Sequence, residues 1–217
     1  MQPVTRIILI RHGETDWNTQ TRIQGHIDIA LNRRGRWQAQ RLGAALADEG
    51  LEAVYSSDLQ RARETAQAVA NAAGLSVQVS PTLRERAFGS FEGHTFAEIE
   101  AQWPEHAMRW WRRDPSFGPP GGETLQAFFE RSVQAVHDLA EAHHGQAVAM
   151  VAHGGVLDCL YRAATGQSLG AARTWAMANA GINRLLRAGD VFTLVGWADV
   201  SHLDDEPTRD ELNEDGR

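Results

Sequence analysis

The chain has 217 residues, of which 42% are hydrophobic and 23% charged, and its formal net charge is -7. This length is enough for one sizeable core, and the acidic balance argues against a nucleic-acid-binding protein. No stretch approaches the run of about 20 apolar residues that a membrane span needs, and the N-terminus lacks a signal-peptide pattern. The single cysteine, Cys159, fits a reducing compartment. We therefore expect a cytoplasmic α/β protein.

The acidic charge is concentrated at the C-terminus. Residues 203–217 hold seven acidic side chains and two arginines, so this segment carries most of the net negative charge. A segment this polar buries too little apolar surface to offset the entropy lost on ordering. We expect residues 1–202 to form a single domain and residues 203–217 to be a disordered tail.

The first predicted strand is the apolar run from Ile7 to Ile10, which is followed at once by Arg11, His12 and Gly13. A helix is then predicted over residues 34–49, with Gly50 as its stop and with one stripe formed by Trp37, Ala44, Ala45 and Leu46. This order of elements is typical of a helix that packs on a sheet.

The strand and helix order recurs in the next part of the chain. A strand is predicted over residues 52–55, and Ser56, Ser57 and Asp58 offer N-cap oxygens to a helix that ends near Ala73. Arg61 lies in the first turn of this helix. Residues 75–79 alternate as a strand does, and residues 83–93 form an irregular, glycine-punctuated segment.

Residues of about 94–122 are predicted to be a lid insertion outside the core. The segment begins with a capping box at Thr95 to Glu98 and continues with tryptophans, arginines and prolines. Trp110 and Trp111 lie among its arginines, so they are candidates for a cover that selects the organic half of a ligand. A contact in a homodimer and simple packing are the open alternatives. Trp17, Trp37, Trp175 and Trp197 are interpreted as packing residues.

The last elements repeat the opening pattern. A helix is predicted over residues 123–144 and an apolar strand over residues 147–152, which ends in His153 and Gly154. Cys159 is placed in the helix that follows. Residues 182–187 and 191–197 then predict a closing hairpin.

Two buried strands that each end in His-Gly place His12 and His153 at the carboxyl edge of a parallel sheet, where open α/β sheets bind ligands. Arg11 and Arg61 also stand at element ends that this topology directs toward that edge. Arginine binds phosphate oxygens with a planar, permanently charged fork, and neighbouring guanidinium groups keep an imidazole neutral and nucleophilic. For Arg61, a solvated surface arginine is the alternative. The pattern indicates phosphoryl chemistry with His12 as the nucleophile.

A proton must also reach the leaving alkoxide, and a carboxyl group near the same edge could both donate it and later activate water. Glu85 is the candidate. A surface salt bridge from Glu85 to Arg84 or Arg86 is an equally good interpretation of the local sequence.

Five segments follow one another along residues 7–155: LIRHGETDWN, SSDLQRARETA, LRERAFGSFEG, GGET and VAHGG. In this order they resemble the motifs of the histidine phosphatase superfamily, in its phosphoglycerate-mutase-like branch. The resemblance implies a three-layer α/β/α sandwich with a mostly parallel mixed sheet. It also implies a phosphatase that acts on small phosphorylated metabolites without metal or cofactor.

Site residues follow from the same resemblance. The implied catalytic residues are Arg11, His12, Arg61, Glu85 and His153. The implied phosphate-binding residues are Arg11, Asn18, Arg61, His153 and Gly154. Among them, His12 would accept the phosphoryl group, Glu85 would donate the proton, and a protonated His153 would stabilise the equatorial oxygens.

Two other functions stay open at this stage. A 2,3-bisphosphoglycerate-dependent phosphoglycerate mutase would use the same fold, although such mutases are longer and carry ERHYG where ERAFG stands here. A catalytically silent binding module would retain the pocket without turnover. Other chemistries lack their motifs: there is no H-E-x-x-H, no arginine six residues after Cys159 and no Walker lysine.

Overall fold

The computed structural model describes residues 4–204 and contains a six-stranded mixed sheet with helices on both faces. The strands are Thr5–Arg11 (β1), Leu51–Ser56 (β2), Val77–Val79 (β3), Ala147–Ala152 (β4), Ile182–Ala188 (β5) and Val191–Asp199 (β6). The helices are Asp16–Thr19 (α1), Arg33–Leu46 (α2), Gln60–Ala73 (α3), Phe96–Gln102 (α4), Pro104–Trp111 (α5), Leu125–Glu141 (α6) and Gly154–Thr165 (α7). The predicted α/β fold is confirmed.

The strand order is β3-β2-β4-β1-β5-β6; β1 to β4 are parallel, β5 is antiparallel to its neighbour β1, and β6 is antiparallel to β5. Strands β1 and β4 are neighbours, and Arg11 pairs with Ala152 at their carboxyl ends. The next residues, His12 and His153, therefore leave the sheet at the same level. The backbone N–H of His12 donates to the carbonyl of Ala152 at 3.0 Å, so the pairing of β1 with β4 continues to His12.

Alternation along β1 divides the core between the two faces of the sheet. Ile7 and Leu9 point to the face covered by α6 and α7, and Ile8 and Ile10 point to the face covered by α2 and α3. Each fully buried side chain of this kind contributes roughly 1.5–3 kcal/mol of transfer free energy. The result is the predicted three-layer α/β/α sandwich.

The buried face of α2 differs from the prediction. Ala44 and Ala45 are exposed, whereas the residues that pack inward follow the helical repeat: Gly35, Gln38, Ala39, Leu42, Gly43 and Leu46. Gly43 allows a close approach to α3, because a Cβ atom there would lie 2.6 Å from the carbonyl oxygen of Ala68. The residues of α2 that are buried are therefore those that lie closest to α3 and the sheet, and Ala44 and Ala45 are not among them.

The N-cap of α3 differs from the predicted Ser56, Ser57 and Asp58. Leu59 occupies the N-cap position and has no side-chain cap, while Ser57 Oγ accepts the Leu59 N–H at 3.3 Å. Asp28, from a distant loop, accepts the backbone N–H of Gln60 at 2.7 Å instead. A cap supplied from 32 residues away leaves no local sequence pattern. Strand β3 is also shorter than the predicted 75–79.

The segment predicted to be a lid is partly a small core of its own. Its residues Ile99, Ala107 and Phe117 are buried together with Ile23 and Phe91. The predicted capping box is present, since Thr95 Oγ1 accepts the Glu98 N–H and Glu98 accepts the Thr95 N–H. Helices α4 and α5 therefore form a packed subdomain beside the sheet, and the expectation that this segment lies outside any core is wrong for these three residues.

Most of the predicted tail lies outside residues 4–204. Its first residue, Leu203, closes a short 3-10 turn, Ser201–Leu203. Among the helices of residues 4–204, none combines the length and the hydropathy that crossing a bilayer requires.

Candidate active site

A cavity of about 510 Å³ lies at the carboxyl edge of β1 and β4, beside the packed insertion. This volume is typical of small-molecule sites. Its wall contains six of the seven predicted site residues: Arg11, His12, Asn18, Arg61, Glu85 and Gly154. The seventh, His153, is fully buried, and its ring packs against that of His12.

The ring of His12 is held in one orientation by the backbone of the next residue. Its Nδ1 lies 2.7 Å from the carbonyl oxygen of Gly13. A carbonyl oxygen only accepts, so Nδ1 carries the proton and Nε2 keeps its lone pair. Burial, followed by the charges of Arg61 and Arg11, holds the pKa of His12 well below its usual 6.5. A neutral imidazole with a free Nε2 is the form a nucleophile requires.

His153 is neutral in the ligand-free site. It is fully buried, and neither ring nitrogen has a hydrogen-bond partner within residues 4–204. Burial, followed by the charge of Arg61, holds its pKa well below 6.5. The protonated His153 that is expected to stabilise the equatorial oxygens belongs to the phosphate-bound site and stays a prediction. Only a bound anion would supply the negative charge that stabilises an imidazolium there.

Arg61 is not a surface arginine. Its side chain is fully buried in the first turn of α3 and donates to the carbonyls of Gly25 at 2.8 Å and Ile27 at 2.9 Å. Burial lowers its pKa to about 10, so it is still charged at neutral pH. Arg11 is anchored by a bond to the carbonyl of Met177. The Nε atoms of both arginines are buried without a partner within residues 4–204, which makes them available to an anion.

Glu85 is tied to the site and not to the neighbouring arginines. Its Oε2 accepts the backbone N–H of Gly155 at 3.0 Å, and its Oε1 accepts the N–H of Arg86 at 2.9 Å. Arg84 pairs with Asp58 instead, at 2.6 Å, and the guanidinium of Arg86 donates to backbone carbonyls. The surface salt-bridge interpretation of Glu85 is therefore wrong.

Asn18 lines the cavity. Its Oδ1 is occupied, because it accepts from the Thr15 N–H at 3.0 Å and from Asn179 Nδ2 at 3.3 Å. The Nδ2 group is left as a donor in the cavity wall. Gly154 begins α7 beside Arg11, and the free N–H groups of a helix N-terminus favour a bound anion.

Sequence reasoning missed several residues of the cavity wall. The loop between α7 and β5 contributes Arg173, whose charge helps to lower the pKa of Arg11, yet no motif marks this loop. Trp17 and Trp175 line the cavity, although they were interpreted as packing residues. Of the two lid tryptophans, Trp110 lines the cavity, whereas Trp111 is 62% exposed.

The arrangement suits the transfer of a phosphoryl group. Two fixed guanidinium groups and a helix N-terminus would bind the phosphate oxygens, a neutral imidazole presents a lone pair, and a carboxyl group lines the same cavity. Within residues 4–204, no group of three or more His, Cys, Asp or Glu side chains is placed to hold a metal ion.

Comparison with known proteins agrees with this geometry. A family model described as the histidine phosphatase superfamily, branch 1, matches residues 7–200. Phosphoglycerate mutase-like protein 4 of Arabidopsis thaliana is 40% identical over 92% of this chain and 87% of its own length. The metal-independent phosphoserine phosphatase of the same plant is 37% identical over 92% of this chain and 84% of its own.

A solved structure supports the same relationship. The mycobacterial glucosyl-3-phosphoglycerate phosphatase, solved with vanadate, has 33% identity and a TM-score of 0.78, covering 89% of this chain and 98% of its own. The protein described by this sequence and this geometry belongs to branch 1 of the histidine phosphatase superfamily.

Proposed function

We propose that this protein hydrolyses phosphate monoesters of small metabolites through a phosphohistidine formed on His12. The observation that carries the proposal is the state of His12. Its Nδ1 is fixed on the carbonyl of Gly13 and its Nε2 is free, while burial, followed by the charges of Arg61 and Arg11, lowers its pKa. The resemblance to phosphatases that act on phosphoserine and glucosyl-3-phosphoglycerate supports hydrolysis.

In the first step, His12 Nε2 attacks phosphorus in line while the ester oxygen leaves. A nitrogen–phosphorus bond forms, the phosphorus–oxygen bond of the ester breaks, and protonated Glu85 gives its proton to the leaving alkoxide. Arg11 and Arg61 stabilise the equatorial oxygens, because their guanidinium groups are already fixed before the substrate arrives.

In the second step, water attacks the phosphorus of the phosphohistidine and Glu85 takes the proton that the water loses. The nitrogen–phosphorus bond breaks, inorganic phosphate leaves, and His12 returns to its neutral form. Glu85 serves both steps because its carboxylate is held by the N–H groups of Gly155 and Arg86.

The test measures phosphate release from a panel of small monoesters in the presence of EDTA. Wild type is compared with His12→Ala and with His144→Ala, a control that changes an exposed histidine. We expect release in wild type and the control, loss of at least about 10³-fold in His12→Ala, and acid-labile phosphate trapped on wild type and the control but not on His12→Ala.

Release that persists in His12→Ala would overturn the role of His12. No release, together with interconversion of phosphoglycerates that depends on a bisphosphorylated primer, would identify a mutase. Tight phosphate binding without either activity would identify a binding module.

A further inference from the structure

Glu85 lies in a part of the chain that has no regular secondary structure. Residues 84–88 connect two short 3-10 turns, Pro81–Leu83 and Gly89–Phe91, and none of them is in a helix or strand. The hydrogen bonds of a helix or sheet therefore do not fix the position of Glu85. A misplacement of about 1 Å in an active site can lower the rate about 10²-fold. Contacts from other elements must hold this segment if Glu85 is to transfer a proton.

Arg131, on α6, holds the main chain on the N-terminal side of Glu85. Its guanidinium group donates to the carbonyls of Thr82 at 2.8 Å, Arg84 at 3.2 Å and Glu85 itself at 3.2 Å. The same group lies 5.1 Å from the ring centroid of Phe128, which belongs to the core between α6 and the sheet. These bonds therefore tie the backbone of Glu85 to the core.

Glu123, just before α6, holds the main chain on the C-terminal side of Glu85. Its Oε2 accepts the N–H of Ala87 at 2.8 Å, and its own N–H donates to the carbonyl of Ala87 at 2.8 Å. Its carbonyl accepts from Arg86 Nε at 3.0 Å and from Arg86 Nη2 at 2.9 Å. Both the backbone and the side chain of Glu123 are thus used to hold the two residues after Glu85.

The two anchoring residues also bind each other. Arg131 Nε donates to Glu123 Oε1 at 2.8 Å and Arg131 Nη2 donates to Glu123 Oε2 at 2.9 Å, which is the bidentate geometry of strong guanidinium–carboxylate pairs. Burial acts to raise the pKa of Glu123, but the bonds from Arg131 and from the N–H of Ala87 outweigh it and hold this pKa below its usual range. The carboxylate of Glu123 is therefore ionised at neutral pH.

The backbone and the carboxylate of Glu85 are held by two different helices. Arg131 on α6 donates to its carbonyl, and Gly155 at the start of α7 donates its N–H to the carboxylate at 3.0 Å. Helices α6 and α7 pack against each other on one face of the sheet. His26 Nε2 adds a third contact, 2.8 Å from the same carbonyl oxygen. Fixed points at both ends of the residue restrict the directions in which its side chain can turn.

We propose that Glu123 and Arg131 are positioning residues, and that their ion pair clamps residues 84–87 so that the carboxyl group of Glu85 reaches the leaving oxygen of the substrate. This inference rests on the proposed function, because it takes the role of Glu85 from it. Neither Glu123 nor Arg131 is among the residues that line the cavity. Their effect on the rate therefore passes through Glu85 and not through a contact with substrate.

The test measures single-turnover phosphorylation by n-propyl phosphate and by p-nitrophenyl phosphate. The propyl ester needs a proton on its leaving oxygen, whereas p-nitrophenolate leaves without one. We expect Arg131→Met to slow the propyl ester at least about tenfold and the p-nitrophenyl ester less than about threefold. Arg131→Lys keeps the charge but not the planar fork, so its loss should be intermediate. Glu123→Gln should show the same selectivity as Arg131→Met, and it decides the test if Arg131→Met does not fold.

A double-substitution cycle separates positioning from a general loss of structure. Glu85→Gln already lacks the proton, so adding Arg131→Met should slow the propyl ester by less than about threefold further. Arg184→Met is the matched control, because it removes a partly exposed arginine that binds Glu49 at 2.7 Å and Asp199 at 3.3 Å and does not line the cavity. It should keep the wild-type ratio of the two rates.

Hydrogen exchange tests the clamp without turnover. Peptides that cover residues 84–88 should exchange faster in Arg131→Met than in wild type, because Glu123 loses its partner and the N–H of Ala87 loses protection. The same peptides should exchange in Arg184→Met as they do in wild type.

Equal losses for the two esters in Arg131→Met, or a full additional loss in the Glu85→Gln background, would overturn the clamp and leave the proposed hydrolysis intact. Wild-type rates and exchange in both Arg131→Met and Glu123→Gln would also overturn it. Faster exchange in Arg131→Met, together with no turnover of either ester by wild type, would support the clamp and overturn the proposed hydrolysis.

Discussion

The rings of His12 and His153 lie with their centroids 5.2 Å apart and their planes inclined by 58°. Both rings are buried at the ends of adjacent parallel strands, and the charge of Arg61 lowers the pKa of each. The pair therefore forms one neutral unit inside a cationic pocket. Any proton added to it is opposed by burial and by the arginines until an anion binds.

The stability of the ligand-free protein should fall at acid pH. Unfolding returns both histidines to a pKa of about 6.5, so below that pH the unfolded chain binds more protons than the folded one. Stability is complete above about pH 6.5 and decreases as the pH falls, by up to about 1.4 kcal/mol per pH unit for each histidine. Urea unfolding between pH 5 and 8 measures this slope.

The double substitution His12→Asn with His153→Asn should flatten that slope, whereas His144→Asn at an exposed position should leave it as in wild type. Saturating phosphate should also reduce the loss of stability, because a bound dianion favours the protonated rings. An equal slope in wild type and the double variant would contradict the pKa directions.

The acid limb of the pH profile of kcat/KM should shift when the charge at residue 61 is removed. In wild type the limb that belongs to His12 lies below the usual histidine range, because burial and two cations oppose protonation. Arg61→Met removes one cation and should move the limb to higher pH, while Arg61→Lys keeps the charge and should keep the limb. The ionisation of the substrate contributes equally to all three profiles, so their difference reports the enzyme. A limb that does not move in Arg61→Met would contradict this electrostatic role.

Glu85→Gln should affect poor leaving groups more than good ones. An alkyl phosphate needs a proton on its leaving oxygen, and kcat should fall by roughly 10²–10⁴-fold without it. p-Nitrophenyl phosphate leaves without protonation, so its phosphorylation step should fall much less. Single-turnover rates with both esters separate this step from the later attack of water. Equal losses for both esters would assign Glu85 a structural role.

Gly155→Ala should displace the carboxylate of Glu85. A Cβ atom at Gly155 would lie 2.2 Å from Glu85 Oε1 and 2.9 Å from the ring of Phe128. The displaced carboxylate should lower kcat by on the order of 10²-fold. Gly170→Ala is the matched control, because nothing lies within 4 Å of a Cβ atom there. A normal kcat in Gly155→Ala would show that the position of Glu85 is not critical.

Asp28→Ala should destabilise the protein through the start of α3. The substitution removes the acceptor of the Gln60 N–H, and the loss of an N-cap of this kind costs about 1 kcal/mol. Urea unfolding with an unchanged m-value measures it. Asp48→Ala, at an exposed helix end, should cost less. Equal effects of the two substitutions would show that Asp28 does not cap α3.

Much of the fold was visible in local patterns. The apolar runs of β1 and β4, each ended by His-Gly, predicted two parallel strands that place His12 and His153 at one edge of the sheet. Strand periodicity and the sharp change to polar residues carry this information, because both depend only on neighbours in sequence. Glu85 was placed less firmly, since its local sequence allowed a salt bridge equally well.

The sequence by itself determined the sheet, its two faces and the position of the two histidines. Tertiary structure decided what depends on residues far apart in the chain. Asp28 caps α3 from 32 residues away, and Gly155 holds Glu85 across 70 residues. Tertiary structure also decided that His153 is neutral without a ligand, because folding buries its ring and brings the charge of Arg61 close to it.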